Sequence, residues 1–469
     1  MITYQDYEKA RDLANFSLTG FILGAINSHK GSEEYETAIR ADMYDKQMNV
    51  TINDYIRQIY TLGGVPVEDF TASNNKLTSN FFRRLNKQRC TYSLGNGVSF
   101  SNDTDGNLKK ALGESFDKVM IDGAYKALIH GVSFLFWNVD RLHLFPLTQF
   151  APLWDEENNT LRAGIRFWQI DENKPMMAVF YEEDGYTVFK TRKRKKRNDS
   201  YYETVLEITE EKRAYKQTVY ENDVGDISLP TDENYSALPI VPLWGSELHQ
   251  STLIGMQPQI DSFDLIRSGF ANDLTDCSEI YWIIENCGGM TDKDLERVRD
   301  RLKINHIASV ATDDGAKITP YTQEIPFQAR KAYLDEIRAG MYEDFGGLDV
   351  HQVSADSTND HLEAAYQPLD ENADDFEYQL IACIQQILRV AGLDIDTPIF
   401  KRNRISNIKE QVEIVLSEAA YLDDETILNK LPNITVDEVA EILRRKDADD
   451  YSRMSFGAEN VEATEEMGE

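Results

Sequence analysis

The sequence predicts an α+β fold, and three observations predict it. Amphipathic helix-like stretches occupy the chain up to Asn75 and again beyond Met256. Between Val132 and Tyr220 the pattern changes to short runs rich in β-branched and aromatic residues, separated by turn residues. At Leu238–Glu247, LPIVPLWGSE, two prolines and Gly245 mark a boundary between that body and the helices that follow.

The elements follow in order. NNKLTSNFFRRLNKQRCTYSLGNGVSF, Asn74–Phe100, reads as a helix, a glycine-punctuated turn and a strand at Val98–Phe100. One helix is expected over Leu108–His130, then strands at VSFLFWNV, RLHLFPL, RAGIRFWQI, MMAVFYEE, YTVFKT, YYETVLEI and RAYKQTVY. The basic run Lys190–Arg197 sits between strands and reads as a hairpin tip or loop. It either shields a sheet edge by its charge or contacts an acidic partner.

From Met256, Ile260, Phe263, Ile266, Phe270, Leu274 and Cys277 recur at spacings of three and four and define one apolar stripe. Asp261, Asp264, Ser268 and Asn272 lie off it. A small unit follows: the strand IYWIIEN, a helix capped by Thr291, and a hairpin built from HIASVAT, DDG and AKITPYT. A second helix, Gln328–Phe345, ends at Gly346–Gly347. Its end contains Asp344–Phe345–Gly346, the tripeptide that holds magnesium in kinases. No glycine-rich phosphate loop, strand lysine or H-R-D loop accompanies it, so it reads as a helix end.

The polar stretch LDVHQVSADSTND leads into a long helix, about Asp360–Ala391. There Leu362, Tyr366, Leu369, Ala373, Phe376, Leu380, Cys383, Ile387 and Val390 alternate as a heptad seam, with a kink expected at Pro368. The spacing fits a coiled coil and a buried bundle helix equally. Small helices are expected over Ile405–Asp450, and an acidic, disordered tail from Tyr451.

Composition narrows function. A net charge of −32 argues against gripping nucleic acid by its phosphates, which takes clustered Lys and Arg. Cys90, Cys277, Cys287 and Cys383 form no CxxC pair and read as reduced cytosolic thiols. The polar start is unlike a signal peptide, and the longest apolar patch, ALIHGVSFLFWNV, is too short for a membrane span, which takes about 20 residues. No P-loop, HExxH or GxSxG is present, and the histidines are scattered. His351 and His361 read as solvated rather than as metal ligands. No catalytic residue, metal or cofactor is expected, although an unrecognised enzyme on the α+β body stays open as a rival.

Taken together and in order, these segments resemble the portal proteins of long-tailed bacteriophages. ADMYDKQMNV resembles the family's early tyrosine-containing segment. Asn75, Lys76, Tyr92, Gly95, Val98 and Phe100 match its N-N-K … Y-x-x-G-x-P-V-x-F signature, with Gly97 in place of the common proline. GVSFLFWNVD and LFPLTQFAPLWDEE resemble its wing strands, LPIVPLWGSE the approach to stem and clip, and LPNITVDEVAEIL its crown. VSADSTNDHLEAAY departs from the family's usual small-residue version.

The resemblance implies a wing over 1–245, stem helices over 246–278 and 326–346, and a clip over 279–325. It further implies a tunnel loop over 347–359, a long kinked helix over 360–391, a crown over 392–450 and a free tail over 451–469. It implies a homo-oligomeric ring, a dodecamer in the virion, assembled in the host cytoplasm at the capsid portal vertex with major capsid and scaffolding proteins. Double-stranded DNA would pass through it during packaging and ejection, and terminase and the head–tail connector would dock on it. It would touch no membrane. A ring that never conducts DNA is the second rival.

Site residues follow residue by residue. Asp349, His351, Gln352, Ser354, Asp356 and Asn359 are expected in the tunnel loop, and Asp261, Asp264, Asp335, Glu336, Glu343 and Asp344 on an acidic channel wall. Asp292, Lys293, Glu296, Arg299, Asp313, Asp314 and Lys317 are expected to dock partners.

Overall fold

Strand alternation decides the architecture. The computed structural model describes residues 2–60, 64–70, 72–103, 106–195, 202–218, 231–276, 281–285, 317–321, 326–349 and 359–404, with scattered positions between 291 and 297 and between 412 and 445. The chain divides into two compact units, Met1–Gly347 with Asp374–Lys401, and Leu348–Ala373 with Arg402–Glu469.

The first unit opens with helices α1 (Tyr4–Arg11), α2 (Leu18–Lys30), α3 (Glu33–Asp45) and α4 (Val50–Asp54). Thr3 and Asp6 form a capping box on α1, and the Ser17 and Ser32 hydroxyls accept from backbone N–H groups at the starts of α2 and α3. Each such cap stabilises its helix by about 1 kcal/mol. A small antiparallel hairpin, β1 (Gln58–Tyr60) and β2 (Pro66–Glu68), follows. Then come α5 (Phe81–Leu94), β3 (Val98–Phe100), α6 (Asn107–Ala111) and α7 (Phe116–His130). The single helix expected over Leu108–His130 is therefore two. Gly113 breaks it at φ +91°, and a side chain there would strike the Asp140 carbonyl.

Strands β4 (Val132–Asn138), β5 (Arg141–Pro146), β6 (Phe150–Trp154), β7 (Leu161–Trp168), β8 (Met177–Glu182), β9 (Gly185–Lys195), β10 (Tyr202–Arg213), β11 (Lys216–Thr218), β12 (Thr231–Glu233) and β13 (Ile240–Trp244) build the body. A five-stranded sheet runs β10-β9-β8-β7-β6 and a three-stranded sheet β13-β4-β5, all antiparallel. Pro152 and Pro242 both lie on edge strands, where a missing N–H costs the ladder least. The boundary segment LPIVPLWGSE thus contributes β13 to the sheet.

The two-residue period sorts side chains into layers. Ala163, Ile165, Ala178 and Phe180 face α1 and α2 through Tyr7, Ile22, Ala25 and Ile26. Val179 and Tyr181, on the other face, pack with Phe134, Phe145 and Ile240 of the smaller sheet. That sheet's far side, Leu135, Trp137 and Val241, meets α5, α7 and, from a later helix, Phe376, Leu380, Cys383 and Ile387. Gly164 leaves room for the Phe150 ring, whose tip lies 2.0 Å from where a Cβ would stand.

The basic run is strand rather than loop as far as Lys195. Lys190 stands opposite Glu207 in the β9–β10 register, and Arg192 pairs with Glu207 at 2.9 Å. The acids of β10 neutralise the run along the sheet, which is why it extends there.

Beyond the boundary lie α8 (Leu253–Asp276), a hairpin of β14 (Tyr281–Glu285) and β15 (Lys317–Tyr321), and α9 (Phe327–Asp344). The strand expected at HIASVAT and the disordered tail expected from Tyr451 fall outside the described residues. Helix α10 spans Asn359–Ala391 and runs through Pro368. Leu362, Tyr366, Leu369 and Ala373 are buried in the second unit, where Asp370 pairs with Arg402 at 3.0 Å and with Arg404 at 2.5 Å. From Phe376 the same seam is buried in the first unit's core. The buried-helix reading of the seam holds there. Strand β16 (Pro398–Phe400) then pairs with β3 of the first unit.

Candidate channel wall and docking strands

Helices α8 and α9 pack as a pair. Phe270 meets Phe327 at 5.6 Å between ring centroids, and Arg330 lies over Phe270 while pairing with Asp273. Phe345 follows α9 and packs against Gly255, and Gly346 turns the chain at φ +54°. The kinase-like tripeptide is thus a helix end, as its sequence context predicts.

The polar row of α8 is where structure and expectation part. Asp264, Ser268 and Asn272, four residues apart, form one face of the helix and are almost wholly buried. They bind the segment that precedes α5. Asn49 Nδ2 donates to Asp264 Oδ2 at 2.5 Å, the Leu77 N–H to Ser268 Oγ at 2.9 Å, and the Asn75 N–H to Asn272 Oδ1 at 2.6 Å. Asp261 accepts from Tyr44 Oη at 2.5 Å and Thr51 Oγ1 at 2.7 Å. Asp264 and Asp261 therefore leave the channel-wall set: both are held against the chain's own N-terminal segment, and Asp264 is 0% exposed. Burial pushes the Asp264 carboxyl up, with partial relief from Asn49 and Ser79. Burial, then the bond to Asp261, pushes the Tyr44 hydroxyl up to about 12.

Asp335, Glu336, Glu343 and Asp344 of α9 are exposed, and Asp344 accepts from Gln259 of α8. In the loop after α9, Asp349 is buried beside Leu348, so its carboxylate is not offered outward. Asn359 opens α10 rather than ending a loop. His351, Gln352, Ser354 and Asp356 lie outside the described residues. Among the docking residues, Lys293 and Glu296 are exposed, Lys317 begins β15, and Asp292, Arg299, Asp313 and Asp314 lie outside the described residues. No helix among the described residues is long and apolar enough to cross a membrane.

Sequence reasoning missed what Asn75 does. Its backbone N–H and side chain both reach α8, the latter to Thr275 Oγ1 at 3.4 Å, and Lys76 Nζ reaches the Asn53 carbonyl. The four-residue repeat of short polar side chains on α8 was the available signal.

A family model described as "Phage portal protein, SPP1 Gp6-like" matches residues 29–451. This chain belongs to that family of phage portal proteins. Portal proteins are structural components of the virion neck, with a general role in DNA packaging. The portal protein of Bacillus phage SPP1 is 22% identical over 443 residues, covering 85% of this chain and 81% of that one. The portal protein of Clostridium phage phiCD119 is 25% identical over 243 residues, 48% of this chain, and the match spans about half of that relative, 54%. Among solved structures, the neck of an empty gene transfer agent particle, computed with C6 symmetry, aligns at TM-score 0.43 and 10% identity, covering 74% of this chain and 88% of that one. The neck of the native particle, computed with C12 symmetry, aligns at TM-score 0.41 and 10% identity, covering 76% and 90%.

Proposed function

We propose that copies of this chain close into a ring, a dodecamer in the virion, that conducts double-stranded DNA during packaging and ejection. Terminase docks on it first and the head–tail connector later, through the clip around β14 and β15 with Lys293, Glu296 and Lys317. Scaffolding and major capsid proteins surround it during assembly in the host cytoplasm. The observation that carries this reading is the family match over residues 29–451.

Physical chemistry supports a passive role. A duplex held by many Lys or Arg contacts releases counterions and binds tightly, which opposes sliding. A net charge of −32 and the exposed acids of α9, Asp335, Glu336, Glu343 and Asp344, favour a wall that repels phosphates. ATP hydrolysis then belongs to the docked motor. Electron microscopy of the purified chain tests the reading: rings with a bore wide enough for duplex DNA are expected, with no ATP turnover. A solitary molecule, or a bore too narrow in every state, refutes it.

A further inference from the structure

The β1–β2 hairpin leaves its apolar side chains uncovered. Tyr60 is 73% exposed, Val65 60%, Val67 44% and Phe70 85%. By the two-residue period Val65 and Val67 share one face, and the register sets Tyr60 opposite Pro66 on the other. Among the described residues both faces stay largely exposed, and an isolated two-stranded hairpin is at best marginally stable in water.

A recess lies on the same unit, beyond the α8 residues Ile266, Gly269 and Asp273 that border Tyr55 and Arg57 at the root of the hairpin. Between α8 and α9 an open groove of about 390 Å³ is lined by Ile266, Gly269, Asp273, Ala329, Arg330 and Tyr333. Nothing lies within 4 Å of a Cβ placed on Gly269, so the groove floor is bare. The charges complement: Glu68 is exposed on the hairpin, while Arg267 and Lys331 are exposed on the two groove helices.

We propose that the hairpin of one subunit, through Val67 and Phe70, docks in the α8–α9 groove of the next copy of this chain. This rests on the ring reading above. A ring closed by rotation uses head-to-tail contacts, in which two different patches on one chain meet. The exposed hairpin and the groove are such a pair, and both are open among the described residues.

Val67→Cys chains co-expressed with Tyr333→Cys chains, both carrying Cys277→Ser and Cys287→Ser, provide the test. Cys90 and Cys383 are buried and stay in place. Assembled particles are oxidised, run on a non-reducing gel and viewed by electron microscopy. A covalent dimer from the mixed preparation, at least tenfold above either chain alone, is expected. Val67→Asp/Phe70→Asp is expected to abolish rings while leaving the circular dichroism spectrum unchanged. Wild-type rings with no mixed dimer, and an Asp variant that still assembles, overturn the docking and leave the ring reading standing. Wild-type chains that form no ring overturn both.

Discussion

Asn49 donates through Nδ2 to Asp264 Oδ2 at 2.5 Å, with both side chains essentially out of water. Among the described residues no Lys or Arg pairs with this carboxyl, and burial pushes it up. The folded chain therefore holds the Asp264 proton more tightly than the unfolded chain, where the group titrates near ~3.9. Its contribution is full below that pH and is lost as pH rises through the folded value. Asp264→Asn, neutral throughout, should become more favourable relative to the parent as pH rises above ~3.9. Asn49→Ala strips the buried carboxyl of its donor and should cost about 1–3 kcal/mol. Urea unfolding at fixed chain concentration measures both; an offset between Asp264→Asn and parent that is constant with pH would rule out the linkage.

The triad of Asp42, His130 and Lys126 carries the opposite sign. His130 Nε2 lies 2.9 Å from Asp42 Oδ1 and Lys126 Nζ 2.6 Å from the same oxygen. Burial pushes His130 down despite the carboxylate, so near neutrality it donates as a neutral ring. Burial raises the Asp42 carboxyl, but His130 and Lys126 outweigh it and hold it at about 2. With His130 neutral, the Lys126 ammonium supplies the charge. The His130 contribution is complete above ~6.5, the unfolded value, and is lost as pH falls. That of Asp42 is complete above ~3.9 and is lost as pH falls through about 2. His130→Gln should flatten the stability profile as pH falls below ~6.5. Asp42→Asn should cost about 1.5–3 kcal/mol at pH 7 by removing a charge-assisted acceptor. A slope unaltered in His130→Gln would place the acid sensitivity elsewhere.

What the sequence discloses here follows from how local the cause is. Strands β4, β5 and β7–β10 are legible because their two-residue period is internal to each strand. The seam from Phe376 to Ile387 is legible because every member is buried on one helix face. The polar row of α8 is not, since the partner of Asn272 is Asn75, 197 residues away. Alternation shows that Asp264, Ser268 and Asn272 share a face, but not that hydrogen-bond donors cover it. The run Lys190–Lys195 looks like a loop until β10 brings Glu207 beside it. Of the candidate wall, α9's acids are on the surface as expected, while the α8 pair is claimed by Tyr44, Thr51 and Asn49.

Gly164 tests the packing of the two sheets. Phe150 is 0% exposed, lies tilted against Phe134 at 4.4 Å between ring centroids and fills the space above the glycine. A methyl group there meets the ring tip at 2.0 Å, with the neighbouring Phe145 limiting retreat. Gly164→Ala should cost about 1–3 kcal/mol by overpacking. With Phe150→Leu beside it the ring no longer obstructs, so the double variant should lose less than the sum of the singles by about 0.5–3 kcal/mol. Denaturant midpoints of the parent, the two singles and the double decide it, and strict additivity would show that the ring moves aside freely.

The acids of α9 test the channel itself. Asp335 and Glu336 are adjacent and exposed. If they face the bore, Asp335→Lys/Glu336→Lys replaces repulsion with contacts to phosphate. Each phosphate so neutralised should steepen the dependence of log K on log salt by about 0.9 for duplex DNA. The variant rings should therefore bind duplex measurably at low salt, release it as salt rises, and package DNA more slowly than parent rings. The exposed turn acids Asp171 and Glu172 of the body give a control with the same change in charge. Asp171→Lys/Glu172→Lys should leave the salt slope near that of the parent. Should both pairs shift binding alike, general charge rather than position is responsible, and α9 does not present these residues to DNA.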